Sequence, residues 1–161
     1  MVTKFTLLRD SREKEGCGWQ FRASANCNGM EVKKLDTGDY SIKEYENLIM
    51  IERKTLGDLW NTLTFGHERF MKEMDRALLY PIRYLIIEGT LRDIEAGIRF
   101  SKVKPDFILY SLISLEVRYG IHVVMTDKRT DIAQTYVRKL LSKLFKYCEE
   151  GVVSGRPNDI K

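Results

Sequence analysis

Long apolar runs are missing from this 161-residue sequence. None approaches the roughly 18 residues a helix needs to cross a bilayer, so no membrane-spanning segment or membrane partner is expected. Cysteine is scarce, with Cys17, Cys27 and Cys148 in scattered positions. An odd, unpaired set excludes both a disulfide framework and a paired zinc knuckle, and it points to a reducing, cytoplasmic compartment. Charge of one sign is also short. The 27 Lys and Arg against 23 Asp and Glu leave a net charge of +4, which permits a polyanionic partner without demanding one. Internal repeats and low-complexity segments are absent, and residues 1–5 lead into a strand-like stretch rather than a signal peptide.

What remains is 43% hydrophobic and 31% charged, the composition of one soluble globular domain, assigned here to residues 1–150 with a flexible tail over 151–161. A buried strand is expected over residues 4–9, ending at the charged cluster Asp10-Ser11-Arg12-Glu13. That cluster suits either a solvated turn or reactive groups presented at a strand end. Residues 16–29 read as a loop that Trp19 and Phe21 pin to the core through a short helix, followed by a strand over 30–35 and a turn at 36–38. Strands over 39–45 and 48–54 follow, then a helix capped by Thr55 and a second over 67–79. Later come a strand at 83–88, a short helix at 91–96, and a basic linker with Arg99, Lys102 and Lys104. A heavily buried helix over 105–119, a strand over 121–125 with His122 packed in the core, and an amphipathic helix over 130–150 complete an α/β domain with a mixed central sheet.

The chemistry concentrates between Thr37 and Asp58. A turn centred on Glu46-Asn47 would set Asp39 opposite Lys54 and Ser41 opposite Glu52, so Asp39, Glu52 and Lys54 would share one face of the hairpin. Arg53 would then face the other way, paired with Asp58 or Asp10. Phosphodiester hydrolysis needs an activated water and neutralised phosphate charge, and a hard divalent cation held by carboxylates supplies both. Asp39 and Glu52 are the candidate ligands, Asp10 and Glu13 further carboxylates, and Lys54 the group that orients or deprotonates water or balances phosphate charge. Charged residues alternating on a solvated sheet would give a similar pattern with no site at all. His67 is read as a capping or solvated residue, or as a substrate contact beside Arg69.

These residues resemble the XPF-type nuclease family, a branch of the restriction-endonuclease-like superfamily. Its pattern is Gly-Asp, a short spacer, then Glu-Arg-Lys-x-x-x-Asp, matched by Gly38-Asp39 and by Glu52-Arg53-Lys54-Thr55-Leu56-Gly57-Asp58. The upstream Asp-x-Arg-Glu element is Asp10-Ser11-Arg12-Glu13, and the later basic position is Arg69. The resemblance implies a three-layer domain of the restriction-endonuclease-like type, a mixed β-sheet flanked by helices, and a Mg2+- or Mn2+-dependent endonuclease for branched, flap or junction DNA. It further implies metal binding by Asp39 and Glu52 with Asp10 and Glu13, catalysis by Lys54, and supporting or phosphate-binding roles for Arg12, Arg53, Asp58 and Arg69. A homodimer through the late helices is implied as well. A tandem helix-hairpin-helix module follows the nuclease domain in many relatives, and this chain ends before one would fit. It is similar in that respect to compact forms from bacteriophages and prophages. The second reading is a catalytically silent DNA-binding or dimer-partner module, although the acidic and lysine positions such relatives lose are present here.

Overall fold

The computed structural model describes residues 3–13, 16 and 18–152. Cys17 and the tail beyond Val152 lie outside the described residues. In chain order the elements are β1 (Phe5–Asp10), β2 (Cys27–Lys33), β3 (Tyr40–Ile42), β4 (Ile49–Thr55), α1 (Leu56–Leu63), α2 (His67–Ala77), β5 (Ile82–Glu88), α3 (Leu91–Ala96), α4 (Pro105–Tyr119), β6 (His122–Met125) and α5 (Thr130–Glu149). Among the described residues, no helix is long and apolar enough to cross a membrane.

The strands form one mixed sheet in the order β2-β1-β3-β4-β5-β6. β3 runs antiparallel to both β1 and β4, while the pairs β1–β2, β4–β5 and β5–β6 are parallel. Helices cover both faces, which is why the apolar runs of β4 and β5 are buried on each side rather than alternating. On one face α5 packs Ala133, Val137 and Leu141 against Phe5, Ile51 and Ile86. On the other, α1, α2 and α4 bring Leu59, Phe70 and Leu112 against Leu85 and Ile87. The result is the three-layer α/β domain expected from the sequence.

Five local expectations change. β2 starts at Cys27 rather than at residue 30, and no helix forms between Gly18 and Asn26. α4 is buried only on the side carrying Ile108, Leu112, Leu115 and Tyr119, leaving Tyr110, Ile113 and Val117 exposed. His122 is exposed, not in the core, because β6 is an edge strand; its ring lies 4.9 Å from that of Tyr84. Finally, the connection between β3 and β4 is wider than a tight hairpin. β3 ends at Ile42 and β4 begins at Ile49, with Glu44 in the left-handed region at φ 75°. Tyr40 pairs with Ile51, so the register slides by an even step and Asp39 comes beside Glu52 rather than Lys54. An even slip keeps every side chain on its expected face, whereas an odd one would have separated them.

Candidate functional site

Asp39 is fixed by its backbone on both sides. Its N–H donates to the Ile51 carbonyl (2.8 Å), and its carbonyl accepts from the Asp10 N–H (2.7 Å), tying β1 and β4 to one point. Gly38 makes that approach possible. It sits at φ 84°, and a side chain there would begin 2.8 Å from Met50 Cγ and 3.1 Å from the Ile51 carbonyl oxygen. One oxygen of the Asp39 carboxylate accepts the Arg53 backbone N–H at 2.8 Å. Glu52, fully buried, accepts from Lys54 Nζ at 2.7 Å through Oε1, while its Oε2 is buried without a hydrogen-bond partner.

The electrostatics follow from burial. Desolvation raises the Asp39 pKa to about 7, offset in part by the Arg53 N–H and reinforced by the charge of Glu13. Glu52 is raised well above the usual carboxylate range, by burial first and then by the negative charge of Asp39. For Lys54, burial alone would lower the pKa, but the charge and hydrogen bond of Glu52, with Asp39 and Glu73, outweigh it and raise the value. Lys54 also lies 5.8 Å from the Phe70 ring centre. Two acids that hold their protons more tightly than usual thus stand beside one ammonium.

These three groups lie in an open cleft of about 670 Å³ between the sheet and helices α1 and α2. Asp10, Arg12, Asp58, Arg69, Glu73 and Arg76 also line it. Asp10 reaches the cleft with both oxygens engaged: Oδ2 accepts from Arg12 Nε (2.7 Å) and Oδ1 from the Leu35 N–H (2.8 Å). Arg12 also donates to the Leu35 carbonyl at 2.6 Å. Asp58 sits in the first turn of α1, where its N–H caps onto Thr55 Oγ1 at 3.3 Å, as the capping expectation for Thr55 required. Arg69 is exposed on the cleft side of α2. No motif singles out Glu73 or Arg76; their helical spacing from Arg69 is the signal that could have placed them in the same wall.

Glu13 and Arg53 belong to a different group. Arg53 Nε donates to Glu88 Oε1 at 2.8 Å, and its Nη1 reaches Glu13 Oε1 at 3.4 Å. Trp19 Nε1 donates to the same Glu88 oxygen at 2.8 Å, and Thr130 Oγ1 to the other at 3.1 Å. The guanidinium carbon also stands 5.6 Å from the Trp19 ring centre. The partners of Arg53 are therefore Glu88 and Glu13, not Asp58 or Asp10. This network lies on the α5 side of the sheet, as strand alternation predicted for Arg53.

Among the described residues, no three Asp, Glu, His or Cys side chains form a ready-made metal cage. The residues present nonetheless fit a hard divalent cation. Magnesium takes oxygen donors and is commonly held by one or two carboxylates together with substrate phosphates. Asp39 and Glu52 supply two carboxylates side by side, and the orphaned Glu52 oxygen has no compensating donor among the described residues. A buried carboxylate oxygen left in that state is costly, and a cation would relieve it.

The solved structures similar to this fold include XPF from Aeropyrum pernix, with a TM-score of 0.66 at 20% identity, covering 90% of this chain and 67% of that one. The same protein in complex with DNA gives a TM-score of 0.67 at 20% identity, covering 89% and 66%. The chain thus spans about two thirds of the length of these structures, and the likeness identifies the restriction-endonuclease-like fold of XPF. No curated protein sequence matches the chain. The ERCC4 domain, by contrast, matches over residues 9–138, a span that runs from the end of β1 through Asp39, Glu52 and Lys54 into α5. By that match across most of its length, this chain belongs to the ERCC4 domain family.

Proposed function

We propose that the protein is a magnesium- or manganese-dependent endodeoxyribonuclease acting on branched, flap or duplex–single-strand junction DNA. The observation that carries this reading is the buried, unpartnered Glu52 oxygen beside Asp39 and Lys54 at the floor of an open cleft. Membership of the ERCC4 domain family supports it, and the related XPF was solved with DNA bound. Asp39 and Glu52 would hold the cation, which when bound supplies Lewis acidity toward the scissile phosphate and lowers the pKa of the attacking water.

The remaining work falls to the chain itself. Lys54, held as an ammonium by Glu52, offsets charge that grows on the phosphate as the P–O bond breaks. Arg69 and Arg76 stand on the α2 wall where a backbone phosphate entering the cleft would meet them. The Arg53 N–H orients the Asp39 carboxylate, and Asp10 with Arg12 braces the far edge. Tyr110, Ile113 and Val117, exposed on one side of α4, support self-association through the late helices. That surface is tested by the mass in solution of wild type against Val117→Glu.

The function is tested by cleavage of a matched panel (linear duplex, single strand, flap, fork, four-way junction) with and without magnesium or manganese. Metal-dependent cutting that favours junction substrates and disappears in Asp39→Ala upholds the reading. Metal-dependent junction binding with no cutting by wild type would instead make the chain a DNA-binding module of the same family.

A further inference from the structure

Beyond the cleft wall the molecule presents an aromatic surface that the cleavage site does not use. Phe65, in the turn between α1 and α2, is 96% exposed, and it stands beside a second exposed ring rather than alone. The turn that carries it is not loose. The Thr64 N–H and hydroxyl both bond the Trp60 carbonyl (3.1 and 2.6 Å), and the Gly66 N–H bonds the Asn61 carbonyl at 2.9 Å. Phe65 lines the cleft that holds Asp39 and Glu52, and it also lines a second, more apolar groove of about 830 Å³ with Leu63, His67, Val103, Lys104 and Phe107. Phe107 is 48% exposed at that groove.

The connector between α3 and α4 lines the groove with Val103 and Lys104, and it carries two further exposed cations, Arg99 and Lys102, outside that lining. On the same connector Phe100 is 90% exposed, held in the left-handed region at φ 67°, with the Arg99 guanidinium 4.9 Å from its ring centre. A bulky side chain in that conformation is uncommon and concentrates at functional sites. Rigidly presented rings with cations interleaved are the chemistry that binds single-stranded nucleic acid, in which every base offers a face and every linkage a charge. Duplex DNA uses such rings only at the cost of unstacking its bases, a cost an unpaired strand does not carry.

We propose that this groove receives the unpaired arm of the DNA substrate, with Phe65 and Phe107 stacking on its bases and Lys104 meeting its backbone. The inference rests on the nuclease reading for its substrate class, and it explains how this domain would recognise a junction: the duplex lies on the cleft, and the arm leaves past Phe65. The basic connector and the continuity with the cleft favour a nucleic-acid strand over a protein segment as the occupant.

The test is made in EDTA, where no cleavage occurs, by fluorescence anisotropy on two labelled duplexes that differ only in a single-stranded arm. Phe65→Ala is expected to weaken binding of the armed duplex roughly 5- to 150-fold, the loss of one base–aromatic stack. The blunt duplex should change by less than about twofold on that account, and Phe65→Trp should retain the arm preference. A single abasic nucleotide in the arm should weaken wild type but add nothing to Phe65→Ala. Equal affinities of wild type and Phe65→Ala for the armed duplex, or equal losses on both duplexes, overturn the proposal; the former is also the result if the groove takes a protein segment. Wild type that cuts DNA with magnesium yet shows no arm preference in EDTA overturns the groove and leaves the nuclease standing. An arm preference that depends on Phe65 in a protein that never cuts keeps the groove and overturns the nuclease.

Discussion

Consecutive residues of β4 carry two ion clusters, and they differ in how completely they are satisfied. On the α5 face, Arg53 and Glu88 are paired, and the remaining Glu88 bonds go to Trp19 and Thr130. On the opposite face, Glu52 has Lys54 on one oxygen and nothing on the other, and Asp39 adds a second carboxylate. Both groups are largely withdrawn from solvent, and each joins acidic to basic side chains. A closed network of this sort holds a strand end in place, and removing any member leaves a charge stranded. An open one keeps unmet electrostatic demand in the empty protein, which is what a cation or a phosphate can use. On the proposed reading, the difference would separate structure from function on a single strand.

The largest expected effect tests the open cluster. Asp39→Ala and Lys54→Ala should each lower metal-dependent DNA cleavage at least 100- to 1000-fold, on the order of losing one transition-state electrostatic group. Their far-UV circular dichroism should stay that of wild type. Retained cutting by both variants, with contaminating nuclease excluded, would place the chemistry elsewhere.

The closed cluster should respond in stability. Arg53→Met or Glu88→Ala leaves the other charge buried and should cost about 3–5 kcal/mol in urea unfolding. The double variant Arg53→Met with Glu88→Met should recover part of that loss, since no charge is then stranded. Single variants that unfold at the wild-type urea concentration would erase the distinction between the two faces.

That distinction was half legible in the sequence. Strand alternation placed Asp39, Glu52 and Lys54 on one face and Arg53 on the other, and it survived the wrong hairpin length because the register slipped by an even step. Local patterns could not find the partner of Arg53. Glu88 is 35 positions away, brought near only when β5 pairs in parallel with β4, and Trp19 comes from a loop that no periodicity describes. His122 was misplaced for a related reason. Its apolar neighbours indicate a strand, but not that the strand is an edge. In α4, composition announced burial, yet the helix has only one neighbour-facing side, so Tyr110, Ile113 and Val117 remain open. Composition gives the amount of apolar surface and not what covers it.

A smaller effect should appear as a pH dependence of the metal-free protein. The Asp39 pKa is raised by burial to about 7, above its unfolded value, so the native state binds more protons than the unfolded one. Stability from this group is then fully present below the unfolded carboxylate pKa and is lost as pH rises through about 7. The melting temperature in EDTA should therefore fall between pH 5 and 8 as far as Asp39 contributes, and Asp39→Asn should flatten that fall. Magnesium added at pH 8 should raise the melting temperature of wild type more than that of Asp39→Asn. A wild-type profile identical to that of Asp39→Asn, with and without magnesium, would mean that the open cluster carries no unmet charge.

The smallest effect concerns the wall rather than the floor. Arg69 is exposed and has no ion-pair partner among the described residues, so Arg69→Gln should leave stability within about 0.5 kcal/mol of wild type. If the residue meets a backbone phosphate, DNA affinity should fall several-fold at low salt. The slope of log affinity against log salt should also become shallower by about 0.9, one phosphate contact on duplex DNA. Affinity measured at four or five salt concentrations separates this from a fold defect, which would lower binding without changing the slope. An unchanged slope would assign Arg69 to the solvated side of α2 and leave phosphate recognition to Lys54 and Arg76, narrowing the open cluster to the sheet and the far end of the helix.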